Sequence, residues 1–188
     1  MHLYIIRHTP VAVPSGTCYG SSDVALSPDW PEHLDRVRRK LPLDEISEHN
    51  LYSSPLTRCA TLARELGPAP TFDDRLKEMD YGDWEGKSWS EIDPDQRNAW
   101  IADFEGYRTP NGESLGDVYL RATQCISEIA KSSHQIAFVV THGALIRCLV
   151  AYGMGLSLNN AGRMQIDYGG VSRLMIDGER KQVESMNV

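Results

Sequence analysis

The chain has 188 residues, 41% of them hydrophobic and 24% charged, with 19 Lys and Arg against 26 Asp and Glu for a net charge of −7. That length supports one sizeable core and is short for two, so a single domain over residues 1–188 is expected. The acidic balance speaks against a nucleic-acid partner, whose phosphates are held by clustered Lys and Arg, and leaves a small anionic ligand wherever basic groups converge.

Leu3-Tyr4-Ile5-Ile6 predicts a short buried strand that delivers Arg7, His8 and Thr9 to its carboxyl end, where open α/β sheets place their ligands. Pro10 to Ser27 is rich in Pro, Gly and Ser and long for a plain connection, which marks a functional loop. Ser27-Pro28 predicts the cap and first residue of a helix that carries Leu34, Val37 and Leu41 on one face. Leu51-Tyr52-Ser53 predicts a second strand. Ser54-Pro55 repeats the cap signature for a helix through about Glu65, with Arg58 in its first turn and Gly67-Pro68 as the stop.

Thr71 to Asp83 reads as a short extended piece and a turn. Ser88-x-x-Glu91 predicts a capping box for a segment carrying Trp89, Ile92, Trp100, Ile101 and Phe104, and residues 89–109 are a candidate lid. Past the break at Pro110-Asn111-Gly112, Leu115, Val118, Ala122, Cys125 and Ile129 recur at helical spacing behind Ser114. Ile136 to Val140 is a continuous apolar run that suits a strand covered on both faces, and it ends in Thr141-His142-Gly143. Ala144 to Tyr152 predicts a helix. Val171–Ile176 and Gln182–Met186 predict two strands joined at Asp177-Gly178, antiparallel at an edge. The pattern defines an α/β fold: a three-layer α/β/α sandwich with a mainly parallel sheet and an antiparallel edge strand.

Cys18, Cys59, Cys125 and Cys148 lie far apart with no Cys-x-x-Cys pair, which predicts reduced thiols in a cytoplasmic protein. No leader and no apolar stretch of membrane length is read, so no membrane partner is expected.

Two predicted strands end in histidine, His8 and His142, and if they are neighbours their imidazoles share one site. Arg58 falls at a helix N-terminus, whose free N–H groups and dipole favour an anion, and its guanidinium adds a forked donor for phosphate oxygens. Together these assemble a phosphotransfer site in which Arg7, Arg58 and His142 hold the phosphoryl oxygens and His8 attacks phosphorus. The surrounding positive charge stabilises the transition state and keeps His8 neutral. Glu78 is the candidate acid for the leaving group, since burial or a bound phosphate dianion favours its protonated form; Asp80, Asp83 and Glu85 are rivals that spacing leaves open. A zinc site at His8 and His142 lacks any completing local Cys or carboxylate, so no metal or cofactor is expected. His2, His33, His49 and His134 read as surface residues, and Trp84, Trp89 and Trp100 as packing. Arg147, one helical turn past His142, either orients the site or pairs with a carboxylate.

Arg7-His8-Thr9, Ser53-Ser54-Pro55-Leu56-x-Arg58-Cys59, Glu78-x-x-x-Gly82-x-Trp84-Glu85-Gly86 and Val140-Thr141-His142-Gly143-x-x-Ile146-Arg147 occur in that order over nearly the whole chain, and together resemble the histidine phosphatase superfamily. The resemblance implies a phosphoglycerate mutase-like fold, a phosphorylated His8, a pocket of Arg7, Arg58 and His142, Glu78 as proton donor, and no metal. Gly16-Thr17-Cys18-Tyr19-Gly20-x-x-Asp23-x-x-Leu26 is similar to the loop of the α-ribazole phosphatases, which hydrolyse α-ribazole 5′-phosphate in cobalamin biosynthesis. It implies that Tyr19, Gly20 and Tyr81, with Gly143, lie on the substrate side. Thr9 departs from the glycine usual after the histidine, and Pro14 from an asparagine that often binds phosphate. The alternatives are a broad small-molecule or sugar phosphatase, a mutase-type phosphotransferase, and a non-catalytic phospholigand-binding module.

Overall fold

A computed structural model describes residues 1–188. Strands β1 (His2–Arg7), β2 (Leu51–Ser53), β3 (Thr71–Phe72), β4 (Ile136–Thr141), β5 (Val171–Asp177) and β6 (Arg180–Ser185) form one sheet in the order β3-β2-β4-β1-β5-β6. The first four are mutually parallel, whereas β5 runs antiparallel to β1 and pairs with β6 as a hairpin, turned at Gly178. The antiparallel end is therefore two strands wide.

Alternation along the strands divides the core between the two faces. Leu3, Ile5, Ala137 and Val139 pack with α4 (Leu115–Ala130) and α5 (Gly143–Met154), while Ile6, Phe138 and Val140 pack with α1 (Trp30–Arg38) and α2 (Thr57–Leu66). This is the expected three-layer sandwich. Ser114 caps α4 in a reciprocal box with Asp117, as its position predicts. No helix is long and apolar enough to cross a membrane.

Three predicted helix starts move. Helix α1 begins behind Asp29, because Ser27 and Pro28 are taken up in a turn in which Trp30 N donates to Ser27 O. The helix in the middle segment, α3 (Pro94–Ala102), starts five residues later than the Ser88 signature suggests. Glu91 does accept from Ser88 N, but Pro94 has no N–H to continue a helix from upstream, and Asp93 caps instead by accepting from Asp95 N and Gln96 N. Helix α2 opens behind Leu56, not Ser54. Its cap comes from the first loop: Asp23 accepts from Thr57 N at 2.8 Å and Thr57 Oγ1 at 2.6 Å.

Candidate active site

Pairing of β1 with β4 aligns Arg7 with Thr141, so the residues that follow, His8 and His142, leave the sheet side by side. Their ring centroids lie 5.2 Å apart and both side chains are buried. His8 Nδ1 is 2.8 Å from Thr9 O. A carbonyl only accepts, so Nδ1 carries the proton and Nε2 keeps its lone pair. Burial first, then the charges of Arg58 and Arg7, hold the His8 imidazole well below its ordinary range of ionisation, which leaves it neutral.

His142 is neutral for the same leading reason, burial, reinforced by His8, Arg58 and Arg7. Its Nε2 meets Ser54 Oγ at 2.8 Å. That duty explains why Ser54 does not cap α2: its hydroxyl is turned to the imidazole. The nearby Cys59 is no rival nucleophile, because burial pushes its thiol pKa upward.

Arg58, fully buried on the first turn of α2, donates Nη1 to Ser22 O at 2.8 Å and Nη2 to Gly20 O at 2.6 Å. Gly20 sits at φ +32°, and a Cβ there would run into Glu85 Oε1 and Met79 O, so only glycine lets the loop come this close. Arg7 donates Nη1 to Ile166 O at 2.5 Å, and its buried Nε has no partner in the protein. Glu78 Oε1 accepts from Met79 N and Ala144 N, both at 3.1 Å, and Oε2 lies at a longer 3.4 Å from Ala144 N. This places the carboxyl at the N-terminus of α5, directly beyond His142.

The rivals to Glu78 are engaged elsewhere. Glu85 ties Ser21 N, Ser22 N and Tyr81 N together, Asp80 accepts from Gly82 N, and Asp83 accepts from Asn111 Nδ2. A cavity of about 260 Å³ is bordered by Arg7, Tyr19, Gly20, Glu78, Tyr81 and Gly143, together with Arg147 and Tyr168. The four residues expected on the substrate side thus share one cleft with Arg7 and Glu78. Pro14 is exposed, whereas Thr9 is buried with an unpartnered hydroxyl.

Tyr168 was not visible to sequence reasoning. Arg7 Cζ stands 3.9 Å over its ring, the His8 ring is 5.4 Å away, and its hydroxyl meets that of Tyr19 at 2.8 Å. Tyr19 in turn stacks at 5.2 Å from Arg58 Cζ. Both tyrosines border the cleft, and Tyr168 lies next to His8. The one local signal was the following Gly169-Gly170 pair, whose backbone exchanges hydrogen bonds with His8 and Arg7.

Arg121 was missed as well. From α4 it donates to the carbonyls of Arg75, Lys77 and Glu78 and to the Glu113 carboxylate, so it shapes the segment that presents Glu78. Arg147 pairs with no carboxylate and donates Nε to Met164 O at 2.9 Å.

A doubly covered sheet with two buried histidines and two arginines gathered at its parallel strand ends, next to a cleft that holds Glu78, fits a protein of the phosphatase class. The family model for the histidine phosphatase superfamily (branch 1) matches residues 3–188, and the chain belongs to that superfamily. Phosphoserine phosphatase 1 of Hydrogenobacter thermophilus is 27% identical over 99% of this chain and 92% of its own length. Among solved structures, the α-ribazole phosphatase of Shigella flexneri superposes with a TM-score of 0.86 at 23% identity, covering 100% of this chain and 96% of that one. A mycobacterial glucosyl-3-phosphoglycerate phosphatase superposes at 0.87 with 24% identity, covering 100% and 98%. At these identities the structural likenesses speak for the shared fold.

Proposed function

We propose that the chain acts as one domain that hydrolyses a phosphomonoester through a phosphohistidine on His8. The observation that carries this reading is the neutral, buried His8, with Nδ1–H held by Thr9 O and Nε2 free, beside Arg7, Arg58 and His142. His8 Nε2 attacks phosphorus, the phosphorus–oxygen ester bond breaks, and Glu78 gives its proton to the departing alkoxide. Water then attacks the phosphohistidine, the Glu78 carboxylate takes up the released proton, and inorganic phosphate leaves. Arg7 Nε is the donor left unpaired for a phosphoryl oxygen, and the Arg58 fork reaches the same anion by exchanging loop carbonyls for it.

The proposed physiological substrate is α-ribazole 5′-phosphate. The pattern from Gly16 to Leu26 supports it, and two of its residues have structural work here: Gly20 O meets Arg58, and Asp23 caps α2. Four buried, unpaired cysteines favour a reducing cytoplasm as the place of action.

Brief incubation with ³²P-labelled substrate is expected to yield an acid-labile, alkali-stable phosphoprotein that His8→Ala does not form. A label that survives the substitution sinks the mechanism. Turnover of α-ribazole 5′-phosphate is expected to exceed that of phosphoserine and glucosyl-3-phosphoglycerate, and the reverse order would reassign the substrate.

A further inference from the structure

Strand β6 closes one end of the sheet, and no strand pairs with its outer side. The opposite end is β3, which has 2 residues against the 6 of β6, so β6 is the extended edge. Backbone directions along it follow from the hairpin. Ile176 N donates to Met1 O, so Ile176 faces β1, and in an antiparallel ladder its neighbours Met175 and Asp177 face β6. Their partners Gln182 and Arg180 therefore face β5. The N–H and C=O groups of Lys181 and Val183 point outward.

Side chains divide between the two faces of the strand. Arg180, Gln182 and Glu184 share one face, on which Glu184 Oε2 meets His2 and Arg173. Lys181 and Val183 share the other, where Lys181 Nζ stands 4.5 Å over the Tyr152 ring and Val183 borders Gly153. Arg180 is exposed and pairs with no carboxylate, and Glu184 Oε1 accepts no hydrogen bond. The strand is thus basic at its start, acidic at its end, and unsatisfied at both.

We infer that β6 pairs antiparallel with β6 of a second copy of this chain, about a two-fold axis at Gln182 that sets Arg180 of each copy opposite Glu184 of the other. A two-fold contact needs a self-complementary surface, and this strand reversed on itself is one. Moving the axis to Lys181 sets that lysine against its own copy. Moving it to Val183 brings in Ser185, whose backbone faces β5 through its pair with Arg173. The Gln182 axis bonds both outward residues of each strand, Lys181 to Val183 and Val183 to Lys181, and joins opposite charges on the other face. Edge charges ordinarily keep an incoming strand away, but here Arg180 meets its opposite. Nothing in this pairing draws on the chemistry at His8.

Sedimentation velocity over a series from about 1 to about 200 µM protein is expected to show a mass that rises toward twice that of the chain. Arg180→Glu sets like charges together and is expected to weaken the dimer at least about fivefold. Lys181→Pro removes an outward N–H while leaving the hairpin ladder whole, and is expected to weaken it as much. Both variants are expected to keep their turnover of nitrophenyl phosphate, which shows them folded. A single-chain mass throughout the series, or a dimer that either folded variant leaves intact, overturns the pairing. Amide exchange reads the same contact without any substitution: at Lys181 and Val183 it is expected to slow as the protein is concentrated, and unchanged exchange there overturns the pairing too.

Discussion

Arg58 Nε donates to His142 Nδ1 across 3.2 Å. A guanidinium only donates, so Nδ1 of this neutral imidazole accepts and its proton sits on Nε2, facing Ser54 Oγ. One arginine thereby sets the tautomer of the second histidine while its other two nitrogens hold the first loop.

Replacing Ser54 by Ala removes the acceptor of the buried Nε2–H and also the hydroxyl that Leu56 N reaches at 3.3 Å. An unsatisfied buried donor costs about 1–3 kcal/mol. Urea denaturation of Ser54→Ala is expected to show a loss of that size, accompanied by slower turnover as His142 loses its orientation. An unchanged midpoint would remove Ser54 from this role.

Both imidazoles ionise less readily in the fold than in the unfolded chain, chiefly through burial. The unfolded state therefore binds more protons as pH falls below about 6.5, the ordinary histidine value. Their contribution to stability is full above that pH and declines below it, at up to about 1.4 kcal/mol per pH unit for each ring. Urea midpoints measured between pH 7.5 and 5.5 are expected to fall with acidity, and less steeply in His142→Gln. The acid limb of kcat/KM is expected below about pH 6.5, since His8 stays neutral there.

Arg121→Met frees the carbonyls of Arg75, Lys77 and Glu78 that the guanidinium gathers. The chemistry expected to suffer is the step that depends on Glu78. Turnover of alkyl phosphates, whose alkoxides need the proton, is expected to drop about tenfold or more, and that of nitrophenyl phosphate much less. An equal drop for both would mark Arg121 as a purely structural residue.

The hydroxyls of Tyr19 and Tyr168 meet at 2.8 Å, and the Tyr168 ring lies 5.4 Å from that of His8, which is only 1% exposed. Parting of this pair is expected to help phosphate reach His8. A hydrogen bond contributes about 0.5–1.5 kcal/mol net, so Tyr168→Phe is expected to speed phosphoprotein formation by about twofold to tenfold. Tyr19→Phe should act alike, and the double variant no more than either single, because one bond is being removed. Additive effects in rapid-quench measurements would rule out the shared latch.

The strands that carry the histidines were legible because an apolar run that stops abruptly at Arg7-His8 or at Thr141-His142 reads the same locally as it folds. The α4 cap was legible for the same reason: Ser114 and Asp117 satisfy each other within one turn. At Ser54 the local rule failed, since a buried imidazole from a distant strand competes for the same hydroxyl and a carboxylate from another loop takes over the cap. Tyr168 and Arg121 carried no periodicity or spacing signal. Their roles arise from backbone and side chains brought to them by other elements.

By itself, then, the chain's order of residues determined the sandwich, the strand ends that bear His8 and His142, the helix that bears Arg58, and membership of the family, all of which follow from short-range pattern and motif order. Tertiary structure alone decided the tautomers of both imidazoles, which Arg7 nitrogen stays unpaired, the Tyr19–Tyr168 contact, and the cleft beside Glu78. Those depend on β2, β4 and β1 lying next to one another and on loops far apart in the chain closing over their ends. Hydrogen-bond partners and cavities are properties of that closure, and no local window of the chain contains them.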